Sequence, residues 1–249
     1  MKNEKKAAEW LGLALVVAML IGCARMLLPL AYGPRYVDVS DVPSKRPDGY
    51  TVVIDAGHGG EDGGAVGFDG VLEKDLNLKV SMMLCDMLSS AGVRAVMTRS
   101  DDRLLYTEEQ NVFGHRKEND LKNRLVISEK YENGILVSIH MNRFPQESCR
   151  GMQVYYSAND VGSRALAASI QDGVRDSLQT YNTRSIKPAD SSIYLLSRSQ
   201  NPAVLVECGF LSNREECEKL SCEDYQRRLS FVIFCGIIEY ISSNDDSGG

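Results

Sequence analysis

Two of the chain's three histidines stand at equivalent places. His58 follows Val52-Val53-Ile54-Asp55-Ala56-Gly57, His140 follows Ile135-Leu136-Val137-Ser138-Ile139, and a third apolar run, Ala203-Val204-Leu205-Val206, ends in Glu207. Short runs rich in β-branched residues read as buried strands, so each delivers an ionisable group to the carboxyl end of a strand. In open α/β sheets that edge is where ligands bind. Two imidazoles and a carboxylate along one edge point to a metal, because a catalytic zinc takes three protein ligands from His, Asp or Glu and keeps a fourth position for water. Glu73, at the start of the first expected helix, is the candidate third ligand, since the loop after His58 folds back there. The helix dipole alone also favours an acid in a first turn, so residue types leave Glu73 open between these readings. Glu207 lies where burial raises a carboxyl pKa, which suits a general base; a strand-end glutamate paired to an arginine is the competing reading.

Other chemistries fit less well. The glycine-rich stretch Gly57 to Gly63 does not match G-x-G-x-x-G and carries Glu61 and Asp62, which repel phosphate, so a nucleotide site is set aside. Cys208 as a nucleophile is disfavoured because side chains alternate along a strand, turning it away from Glu207 and into the core. Asp55, three residues before His58, either accepts from that histidine's second nitrogen or caps the loop. His115 lies in a polar loop and is left out of the site, while Asn142 and Arg143 border it.

The elements that must position these groups follow from periodicity. Leu72, Leu76, Val80, Met83, Leu84, Met87 and Leu88 recur at helical spacing up to Gly92, and Arg94 to Thr98 reads as a strand. The opening unit is therefore strand, loop, helix, strand, with a parallel pair. Ser100 to Asp120 is polar and reads as a loop with a short helix; a helix begins near Leu121. Beyond the His140 strand come a half-exposed strand at Gly151 to Ser157, a helix at Val161 to Leu178, a short strand at Ile193 to Leu196, the Glu207 strand and a helix at Tyr225 to Ile241. The expected fold is a single α/β domain over residues 50–242, with a mixed, mostly parallel central sheet flanked by helices and the site at the carboxyl edge of the strands.

Ahead of the domain, Lys2, Lys5 and Lys6 precede an apolar stretch, and residues 1–32 read as a membrane anchor or signal segment. An uncleaved anchor is the first reading, with a cleaved signal or a lipobox at Leu20-Ile21-Gly22-Cys23 as alternatives. The leading lysines place the remainder outside the cytoplasm under the positive-inside rule. Residues 33–49, with Pro34, Pro43 and Pro47, form a linker, and the polar tail 243–249 is expected to be disordered. A net charge of −6 without a basic patch argues against nucleic acid as a partner. The seven cysteines are an odd number without a CxxC pair, which reads as free thiols; spacing leaves a bridge between Cys217 and Cys222 open.

The blocks Ile54-Asp55-Ala56-Gly57-His58-Gly59-Gly60, Glu73-Lys74-Asp75-Leu76-Asn77-Leu78, Thr98-Arg99, Val137-Ser138-Ile139-His140-Met141-Asn142 and Pro202-Ala203-Val204-Leu205-Val206-Glu207-Cys208-Gly209-Phe210 resemble, in order, the motifs of zinc-dependent N-acetylmuramoyl-L-alanine amidases of the Amidase_3 type. The resemblance implies Zn2+ held by His58, Glu73 and His140, with Glu207 as the catalytic carboxylate and peptidoglycan as substrate. Asn142-Arg143-Phe144-Pro145, Gly151 to Tyr156 and the short anchored chain further resemble the sporulation-specific cortex amidases, which remove stem peptides so that muramic δ-lactam can form. No wall-binding repeat is recognisable, which implies control by the anchor or by an activating protein partner. A zinc carboxypeptidase or exopeptidase on the stem peptide, a vegetative autolysin and a wall-binding module without chemistry are the alternatives.

Overall fold

The computed structural model describes residues 49–245. The expected membrane segment 1–32, the linker up to residue 48 and the tail from residue 246 lie outside the described residues. Among the described residues no helix is long and apolar enough to cross a membrane.

Six strands form one sheet: β1 (Thr51–Ala56), β2 (Arg94–Met97), β3 (Gly134–Asn142), β4 (Gln153–Tyr156), β5 (Lys187–Pro188) and β6 (Ala203–Phe210), in the spatial order β2-β1-β3-β6-β4-β5. β2, β1, β3 and β6 run parallel, whereas β4 is antiparallel to β6. The sheet is thus mixed and mostly parallel, as expected. The helices are α1 (Glu73–Ser90), α2 (Arg116–Ser128), α3 (Gly162–Ser177), α4 (Tyr194–Arg198), α5 (Arg214–Ser221) and α6 (Glu223–Asp245).

Strand alternation divides the central residues between two faces. Val52 and Ile54 of β1, Ile135, Val137 and Ile139 of β3, and Val204, Val206 and Cys208 of β6 join Leu76, Val80, Leu84 and Leu88 of α1 and Leu166, Ile170 and Val174 of α3 in the main core, which α6 closes. The opposite face carries Val53, Leu136, Ala203 and Leu205, which pack with Leu195 and Leu196 of α4 and Leu125 of α2 in a smaller cluster. Asp55, Ser138, His140 and Glu207 occupy the remaining positions of that second face. The period of two therefore collects the polar chemistry on one side while the other supplies most of the apolar burial.

Four expectations are corrected. Ile193 to Leu196 belongs to a helical turn, Tyr194–Arg198, because a four-residue apolar run carries no periodicity to distinguish strand from helix. α2 begins at Arg116, five residues before its first apolar position, since its leading turn faces solvent. α5 was absent from the periodic reading because it is mostly polar, and Asn213 caps it by accepting from the Glu216 N–H. α6 continues to Asp245, into the stretch expected to be disordered. Cys217 is buried and Cys222 exposed, and both are free thiols.

Candidate metal centre

β1 ends at Ala56 and the chain turns through Gly57 and His58 at the sheet edge, with His58 at φ +61°. The neighbouring strand presents His140 one register step beyond the Ala56–Ile139 pair, and His140 is itself paired with Glu207 of β6. Register partners in a parallel ladder point to the same face, so imidazole and carboxylate stand side by side. A register shift follows between His140 and Asn142. There the Met141 N–H donates to Glu73 Oε1 at 3.1 Å.

Glu73 reaches this face although its helix packs on the opposite one, because α1 begins at the carboxyl edge. Its carboxylate is buried, at 3% residue exposure, and Oε2 accepts from the Ala65 N–H at 2.8 Å. Oε1 faces His140 Nδ1 at 2.9 Å and His58 Nε2 at 3.2 Å. His58, Glu73 and His140 can each offer one donor atom with all three within 4.8 Å of one another. The backbone leaves room for little else: a Cβ on Gly57 would collide with the His140 ring, and one on Gly64 would lie 2.6 Å from Glu73 Oε2 and 2.8 Å from His58 Cδ2.

The free nitrogen of His58, Nδ1, lies 2.9 Å from Asp62 Oδ2. This is the orienting contact that the sequence reading sought in Asp55. Asp55 instead accepts from Thr98 Oγ1 at 2.8 Å, Ser138 Oγ at 2.6 Å and Arg124 Nη1 at 2.7 Å, beneath the site. Burial alone would raise its carboxyl, but Arg124 and Ser138 outweigh that and hold it at about 2. Burial would likewise lower the His58 imidazole, yet the Asp62 and Glu73 carboxylates lift it to about 9. Glu73 is held far below the usual carboxylate range, the two imidazoles overcoming the effect of burial. The cluster thus surrounds two nitrogens with fixed negative charge, an arrangement a divalent cation satisfies better than two extra protons do.

Glu207 differs from these acids. Its Oε2 is buried without a hydrogen-bond partner, and burial pushes the carboxyl up to about 7, Glu73 adding to the rise while His140 and His58 oppose it. A pocket of about 250 Å³ joins His58, His140 and Glu207 to an apolar wall that includes Leu121, Ile193 and Leu205, with Lys117 at the rim. Arg143 lines a separate cleft with Phe144 and Leu211. His115 is exposed and pairs with Glu118, away from the cluster. Cys208 lies in the main core, and burial pushes its thiol well above the ordinary range. Asp62, Arg99 and Arg124 were not among the expected site residues; the only trace of Asp62 was its position four residues after His58.

A carboxylate poised near neutrality beside two imidazoles and a second, ionised acid, all at the carboxyl edge of a mostly parallel sheet, defines a metallohydrolase-type α/β enzyme. Residues 52–239 match the Amidase_3 family, N-acetylmuramoyl-L-alanine amidase, and the chain belongs to that family. The germination-specific N-acetylmuramoyl-L-alanine amidase of Bacillus subtilis (strain 168) is 35% identical over 242 residues, covering 97% of this chain and 98% of that protein. The uncharacterized protein YqiI of the same organism is 37% identical over 223 residues, covering 89% and 94%. Among solved structures, the CwlD amidase from Clostridioides difficile in complex with the GerS lipoprotein aligns with a TM-score of 0.74 and 39% identity, covering 78% of this chain and 98% of that one.

Proposed function

We propose that the chain is a zinc-dependent cortex amidase that hydrolyses the amide between the lactyl group of N-acetylmuramic acid and the L-alanine of the stem peptide. His58, Glu73 and His140 hold the ion, a set of two imidazoles and one carboxylate that suits zinc. When bound, the ion supplies Lewis acidity, polarising the scissile carbonyl and lowering the pKa of the attacking water. Glu207 takes the proton from that water as the oxygen adds to the carbonyl carbon. It returns the proton to the alanine nitrogen as the C–N bond breaks, leaving a lactyl carboxylic acid and a free amino terminus. Oε2, with no bond inside the protein, is free to make both transfers. This orphaned, buried oxygen beside the His/Glu/His cluster is the observation that carries the proposal.

Similarity over nearly full length to a germination-specific amidase supports a role in spore cortex. Residues 1–32 anchor the enzyme at the outer face of the membrane, and an exported protein partner controls it; the lipoprotein in complex with the C. difficile amidase supports such a partner. Glu207→Ala tests the assignment: zinc content should stay at the parent value while stem-peptide release from purified peptidoglycan disappears. Retained release would remove Glu207 from the chemistry.

A further inference from the structure

Arg99 and Arg124 are the two largest fully buried side chains, each 1% exposed. Arg124 has carboxylate partners, Asp55 at 2.7 Å and Asp120 at 2.8 Å. Arg99 makes no ion pair among the described residues. The four hydrogen bonds it makes all go to backbone carbonyls: Nε to Ala56 at 2.8 Å, Nη1 to Asp101 at 2.9 Å, and Nη2 to Gly57 at 3.0 Å and Lys74 at 2.8 Å. A buried cation without a carboxylate is a costly way to stabilise a fold, which directs attention to what those carbonyls do.

Three of the carbonyls that the two guanidiniums hold are consecutive. Ala56 O accepts from both arginines, Gly57 O from Arg99 and from Asn77 Nδ2 at 3.1 Å, and His58 O from Arg124 Nη2 at 2.7 Å. This is the segment that leaves β1 and enters the left-handed region at His58, a conformation that side-chain-bearing residues rarely adopt. Asp62 fixes the ring of His58, but the ring projects from whatever backbone the turn provides. A planar guanidinium spans two carbonyls in one fixed geometry, which an ammonium cannot do.

We propose that Arg99 and Arg124 are positioning residues for His58: by taking the carbonyls of Ala56, Gly57 and His58 they impose the left-handed turn that brings Nε2 to Glu73. The inference rests on the metal centre described above, and two measurements separate it from that reading. The first is zinc affinity, by competition with a chromogenic chelator, in the parent, Arg99→Lys, Arg124→Lys and the remote core variant Val174→Ala. Both lysine variants should bind zinc at least tenfold more weakly. Val174→Ala, which lowers thermal stability without touching the turn, should stay within twofold of the parent. Lysine variants that fold and bind within twofold of the parent would overturn the inference, whereas a parent that binds no zinc would overturn the metal centre itself. The second needs no variant: in zinc-free parent, NMR couplings and chemical shifts should already place His58 in the left-handed region. An extended or right-handed His58 that becomes left-handed only on adding zinc would show that the metal, not the arginines, sets the turn.

Discussion

Replacing Glu207 by glutamine should destroy activity and stabilise the metal-free protein, with a pH dependence that identifies the cause. In the folded chain the carboxyl titrates at about 7, against 4.5 in an exposed glutamate. The folded state therefore holds more protons than the unfolded state between these values, and parent stability falls as pH rises through that window. At 1.36 kcal/mol per pH unit of difference, the penalty at pH 8 amounts to about 3 kcal/mol. Glutamine has nearly the same shape and no charge to desolvate, so the variant escapes it. For a domain of this size the gain corresponds to a rise in melting temperature of about 6–12 °C at pH 8. At pH 5, where the folded carboxyl is protonated and the unfolded one is mostly ionised, the difference should shrink to about 1 kcal/mol, and it should vanish only below about pH 4. The assay is thermal denaturation of both proteins in chelator across pH 5 to 8. Zinc should shrink the pH 8 difference, because a nearby dication favours the ionised carboxylate. An advantage for Glu207→Gln that is the same at both ends of the range, or a parent that is the more stable at pH 8, would refute the reasoning.

Further substitutions probe the rest of the site. Gly57→Ala, whose methyl would meet the His140 ring, should abolish zinc binding in a protein that still melts cooperatively; calorimetry and metal analysis on one sample check both. Asp62→Asn keeps the size of the His58 partner but removes its charge, and should weaken zinc affinity by about 10- to 100-fold in the same chelator titration. Alkylating reagents should leave activity intact, since Cys208 is buried with its thiol pKa pushed up, whereas a chelator should remove activity and added zinc restore it.

The strands that carry the site were legible because β-branched runs and the period of two are strong signals, and the same alternation placed Cys208 in the core and Glu207 on the opposite face. Glu73 was only partly legible: its place at the start of a helix where the loop after His58 folds back made it the candidate third ligand, but a helix-dipole reading stayed equally open until the matching motif blocks tipped it. Asp62 and Arg124 were missed for a related reason, and Arg99, though part of a matching motif block, was given no role. Charged residues in polar segments look solvated until a neighbouring backbone closes over them, and Arg124 is brought to Asp55 across 69 residues of chain. For Asp55 two readings stayed open, a partner for His58 or a cap for the loop, and neither named Thr98, Ser138 and Arg124, because proximity in sequence to His58 does not say which way a strand side chain points. α5 carried a readable signal, an asparagine three residues before a glutamate, although that glutamate turns inward to accept from Gly151 and Phe210.

The central claim is that four groups gathered at one sheet edge cut one particular amide. Mass spectrometry of purified cortex peptidoglycan digested by zinc-loaded enzyme addresses it directly. The account predicts free stem peptides with an amino-terminal L-alanine, together with glycan chains whose muramic acid carries an unsubstituted lactyl carboxylate. Shortened peptides still attached to glycan would mark a carboxypeptidase and contradict it.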